Sequence, residues 1–88
     1  MPYISPKDRP LFNKIIEDFI DGQIYDPFTP GELNYLITTL LHEWSKNIKG
    51  YTAYNTIIGI LECAKQEFYR RIVAPYEDEK ILENGDVF

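Results

Sequence analysis

The residues best suited to hold a ligand fall in one short run from Lys65 to Arg71. Lys65, Arg70 and Arg71 supply cationic donors there, and Phe68 and Tyr69 supply aromatic faces. A guanidinium bonds a phosphate through two N–H groups at once and stacks on planar rings, so the run has the ingredients of a site for an anionic nucleotide, above all where several subunits bring their copies together. The same charges have a plainer use, because Glu67 stands four residues before Arg71, the spacing of an ordinary ion pair on a helix surface. Asn34 and Asn55, each beside a tyrosine (Tyr35 and Tyr54), add amides that either bridge neighbouring helices or read the edge of a ligand.

Other chemistries find less support. A metal-dependent nucleotide pyrophosphohydrolase of the all-helical kind gathers several carboxylates around Mg²⁺. Glu32, Glu43, Glu62 and Glu67 are the candidates, but Glu62 and Glu67 are five apart and point to opposite flanks of a helix. His42, the one histidine, falls on the polar side of its helix and has no nucleophile or ligand partner at a useful spacing. The expectation is therefore a protein without a catalytic residue, metal or cofactor. Gly59 and Cys63 are small residues one turn apart. A glycine inside a helix costs about 1 kcal/mol against alanine and usually permits close approach of a neighbour. This pair therefore marks a candidate subunit interface, the alternative being a glycine that simply faces solvent.

Composition bounds the rest. The chain has 88 residues, 44% hydrophobic and 15% aromatic, which is globular rather than disordered. A domain of this size buries only about 60 to 65% of its unfolded surface, so self-association is an expected route to stability. One cysteine allows no internal disulfide, which fits a reducing, cytoplasmic setting. No apolar run approaches the roughly 18 residues of a membrane span, and the start MPYISPKDRP lacks a signal-peptide core. Residues 1–73 carry nine acids and eight bases, whereas 74–88 carry five acids and one base, so the net charge of −5 resides mostly in the tail. There is no basic face for duplex nucleic acid.

Three helices must position these residues. Ser5-Pro6-Lys7-Asp8 reads as a capping box opening a first helix, with Leu11, Phe12, Ile15, Ile16, Phe19 and Ile20 on one side and Gly22 as its stop. Pro27 and Pro30 pin the following loop. Thr29, Pro30 and Glu32 form the clearest helix start in the chain, followed by the stripe Leu33, Leu36, Ile37, Leu40, Leu41 and Trp44. Thr52 is expected to cap a third helix that runs to Ala74, where Pro75 disfavours continuation. Its main stripe is Ala53, Tyr54, Ile57, Ile58, Leu61, Ala64, Phe68 and Ile72. A short loop between helices two and three implies an antiparallel hairpin, with the first helix laid over it. Glu77, Asp78 and Glu79 mark the start of a short helix in the tail, Asn84-Gly85 a turn, and Val87-Phe88 a docking end.

The opening MPYI, the run GELNYLIT (Gly31 to Thr38) and the segment from Leu61 to Phe88, with PYEDEK and ENGDV inside it, resemble a family of small uncharacterised proteins encoded by phages and prokaryotes. The resemblance implies a phage or prokaryotic cytoplasmic setting and a tail that belongs to the domain; it implies no catalytic residue. A fainter similarity, carried by Arg70-Arg71-Ile72-Val73-Ala74-Pro75, is to phage sponge proteins, helical homo-oligomers that sequester cyclic-nucleotide immune signals.

The sequence thus leads to one all-α domain over residues 1–88: an antiparallel hairpin, an N-terminal helix and a docking tail, assembled as a homo-oligomer. The functional expectation is a non-enzymatic protein that sequesters a nucleotide-derived signal, such as a cyclic nucleotide or ADP-ribose-type molecule. Lys65, Tyr69, Arg70, Arg71, Asn55 and Asn34 would contact the ligand, and Gly59 and Cys63 would lie between subunits. The competing expectation is a protein-interaction module or inhibitor that presents its acidic tail to a basic partner.

Overall fold

A computed structural model describes residues 2–88; every regular element among them is helical, with no strand. A 3₁₀ turn at Pro6–Asp8 leads into α1 (Arg9–Gln23); α2 spans Pro30–Ser45 and α3 spans Tyr51–Phe68. A π-helical turn at Tyr69–Val73 then joins α3 directly to α4 (Ala74–Asn84).

The start of α2 forms as its sequence dictates. The Thr29 hydroxyl accepts from the Glu32 amide at 3.2 Å, and the Glu32 carboxylate accepts from the Thr29 amide at 2.9 Å, with Pro30 in the first turn. Two amide groups that a helix start leaves without intrahelical partners are thereby satisfied. The other two starts differ from expectation. Ser5 makes no side-chain cap; its carbonyl takes the Asp8 amide and closes a 3₁₀ turn, so α1 begins at Arg9. At α3 the cap is Gly50 rather than Thr52, with φ of 77° and ψ of −156°, a conformation essentially reserved for glycine. Nor does Gly22 end α1, which continues to Gln23. A Cβ at position 22 would stand 3.6 Å from the Phe28 ring, an ordinary van der Waals contact. Phe28 in turn meets Phe19 edge to face, 5.5 Å between centroids, and ties α1 to the loop that follows it.

The largest departure is at Pro75. The third helix does not stop at Ala74, because the backbone widens before the proline: the Ala74 amide donates to the carbonyl of Tyr69, five residues back. In a regular helix the Pro75 ring would collide with the Arg71 carbonyl and leave it without a donor. A wider π turn relieves that collision, so the rod runs on to Asn84. The thirty-four residues from Tyr51 to Asn84 should measure about 51 Å at the ordinary rise per residue, comparable with the longest molecular axis of 49 Å. At the end of the rod Gly85, with φ of 85°, returns its amide to the Ile81 carbonyl.

Packing within one chain is sparse. The α2 helix meets the beginning of α3, where Ala53 is the only fully buried residue among those described, and Leu36, Leu41 and Ile57 are half-buried. The backbone of α1 comes close to none of the other helices, so α1 does not cover α2 and α3 as the amphipathic pattern suggested. The tail does not dock on its own chain either: Val87 and Phe88 are exposed, and their amides turn back to the Asp86 carboxylate.

Candidate functional site

The π turn presents Arg70 and Arg71 on consecutive positions, and the N-terminal segment crosses beside them. Arg70 Nη2 donates to both carboxylate oxygens of Glu67, at 2.9 and 3.1 Å, and to the Tyr3 phenol oxygen at 3.1 Å. Arg71 Nη1 donates to the same phenol oxygen at 3.3 Å and lies 3.6 Å from Glu67. The Tyr3 hydroxyl itself donates to the Glu67 carboxylate. Two guanidinium groups and one carboxylate thus share a single phenol, leaving one positive charge uncompensated.

Glu67 is the most enclosed member, its side chain 20% exposed against 66% for Arg70 and 60% for Arg71. The Tyr3 hydroxyl and then the two arginines hold its carboxyl below the usual glutamate range, while partial burial works against them. Glu67, in return, pushes the Arg70 guanidinium further up, so it stays charged at any accessible pH. Beside the charged cluster, Pro2, Ala64, Phe68 and Ile72 line an open apolar groove of about 490 Å³. An apolar groove with the Arg71 guanidinium in its lining, and the Arg70 guanidinium bonded to the same Tyr3 phenol, suits a planar ring bearing an anionic group.

The other expected ligand contacts lie apart within one chain. Lys65 faces Glu62 at 3.8 Å. The Tyr69 phenol reaches across the π turn and donates to the Glu77 carboxylate at 3.1 Å, which raises the Tyr69 pKa. Asn34 accepts a hydrogen bond from the Thr38 hydroxyl at 3.1 Å on α2, and Asn55 is exposed near the start of α3. At Gly59 a Cβ would meet nothing within 4 Å, so no part of its own chain explains the glycine, and Cys63 is half-buried. His42 is exposed, and among the described residues no three His, Cys, Asp or Glu side chains gather as a metal site. No helix of the described residues is long and apolar enough to cross a membrane.

Tyr3 had no place in the sequence-based site. It lies sixty-seven residues from Arg70, and nothing in the spacing of the chain ties the two together. The one hint was that MPYI recurs as part of the family pattern.

A family model described as a domain of unknown function, DUF6899, matches residues 1–87, both Tyr3 and the arginine pair included. The chain belongs to the DUF6899 family. No curated protein and no solved structure matches it. The DUF6899 match spans both the N-terminal segment and the helical tail, and it assigns them no activity.

Proposed function

We propose that this protein is a non-enzymatic phage or prokaryotic binding protein that works as a homo-oligomer in the cytoplasm and sequesters a nucleotide-derived immune signal. In this reading α2 and α3 pair as an antiparallel hairpin within the assembly, and Arg70 and Arg71 take the anionic part of the ligand. The observation that carries the reading is the convergence of two exposed guanidinium groups on the Tyr3 phenol, which lines an apolar groove together with Arg71. Glu67 holds the pair in place until a more highly charged phosphate competes for it, and the surplus positive charge favours that exchange. Lys65, Tyr69, Asn34 and Asn55 enter the site from neighbouring subunits, because one chain does not bring them to the cluster.

The test is thermal melting against a panel of cyclic di- and trinucleotides and ADP-ribose derivatives. A ligand of this class should raise the melting temperature by several degrees at saturating concentration, and Arg70→Ala should abolish the shift. An unshifted panel would overturn the ligand assignment.

The second reading is a protein-interaction module. It draws on α4, where Glu77, Asp78, Glu79 and Glu83 accompany an almost fully exposed Leu82 at the free end of the rod. Capture of a basic partner by this end would weaken steeply as salt rises, whereas a pocket-held nucleotide would be less sensitive.

A further inference from the structure

We infer that α1 is an intermolecular arm: its apolar face seats on a second copy of this chain, and the folded unit exists only as that assembly. Leu11, Phe12, Ile15, Ile16, Phe19 and Ile20 line one side of α1, and every one of them is exposed in the single chain. Within the chain α1 is secured by little more than the Phe19–Phe28 ring contact and the bond from Arg9 Nε to the Ile4 carbonyl. A fifteen-residue helix with no packing partner is marginal in water, because nucleation is costly and propensity alone does not offset it. An apolar stripe of this width is stable only when covered.

The exposed area indicates how much cover is missing. A compact monomer of 10.4 kDa exposes about 5,400 Å². This chain exposes 8018 Å², an excess of about 2,600 Å². Obligate homodimers bury roughly 2,000 to 5,000 Å² in total, or about 1,000 to 2,500 Å² per chain, so the excess matches a large obligate interface at the top of that range.

The excess also favours a second copy over a foreign partner. It is spread over every helix, with Ile58, Phe68, Ile72 and Leu82 exposed as well as the α1 face. Each copy therefore offers both an apolar arm and the apolar surface that an arm needs, and reciprocal seating covers both at once. Gly59, open on its own chain, is free for close approach of another helix. The inference deepens the self-association in the proposed function and is independent of the ligand.

The experiment combines light-scattering mass, melting temperature across a hundredfold range of protein concentration, and hydrogen exchange of the α1 amides on the full chain. The expected result is a multimeric mass, a melting temperature that rises with concentration, and protected α1 amides. The double variant Ile16→Asp, Ile20→Asp should fall to single-chain mass, while Asp21→Asn on the opposite side of α1 should keep the assembly. A folded single chain with concentration-independent melting would overturn both the arm and the self-association. A multimer whose α1 amides exchange freely, or whose mass survives the double variant, would overturn the arm alone. Ligand-induced melting reads a different quantity, so the sequestering reading and the arm fail separately.

Discussion

At the scale of single residues, Tyr3 organises the candidate site. Its hydroxyl is the foremost cause of the low Glu67 pKa, and its oxygen accepts a hydrogen bond from both Arg70 and Arg71. Tyr3→Phe removes the donor while keeping the ring on the groove. The Glu67 pKa, followed by carbon-detected NMR titration, should then rise toward the ordinary glutamate value. The sign for stability follows from the direction of the shift. A carboxyl whose folded pKa is depressed stabilises the fold above its unfolded pKa, and loses that contribution as pH falls through the folded value. Wild type should therefore melt above Tyr3→Phe at neutral pH, and the difference should shrink in acid. A gap that persists once Glu67 is protonated would mean that the Tyr3 hydroxyl acts through its bonds to Arg70 and Arg71 rather than through this carboxylate.

At the scale of elements, the helix starts and the π turn are the points where local chemistry decides geometry. Thr29→Ala deletes one half of the reciprocal cap at α2 and should cost about 1 kcal/mol, read as a lower midpoint in chemical denaturation with an unchanged slope. Pro75 has the opposite role, since it imposes the π turn rather than ending the helix. Pro75→Ala restores a donor for the Arg71 carbonyl and removes the ring. The turn should anneal to regular α-helix, rotating α4 by about 100° about the rod axis. That rotation would carry Glu77 away from Tyr69, so loss of the Tyr69–Glu77 bond and a fall in the Tyr69 pKa toward its ordinary value are the readouts. Retention of both in Pro75→Ala would show that the π turn is held by contacts other than the proline.

At the scale of the molecule, the single chain is too extended for its length. Its radius of gyration is 16.9 Å, whereas a compact domain of 88 residues has about 12 Å. The chain carries globular amounts of apolar side chain and encloses almost none of it, which is why assembly enters both proposals. The rod also carries an acidic end and, at the π turn, a surplus positive charge, so copies that meet side by side can place one against the other.

The sequence by itself determined the all-helical class and the place of α2, because the cap at Thr29, Pro30 and Glu32 and the stripe behind it are local features that need no tertiary help. The ion-pair spacing from Glu67 to Arg71 was legible for the same reason. Only the tertiary structure decided that the rod passes through Pro75. A proline rule read from sequence assumes regular α geometry, and a single wider turn removes the collision on which the rule depends. It also decided the place of Tyr3, since a contact across sixty-seven residues leaves no periodic trace in the chain. The amphipathic stripes fall on helices but stay largely exposed in the single chain, because a stripe records that a face is to be covered and carries no record of whether the cover is the same chain or another.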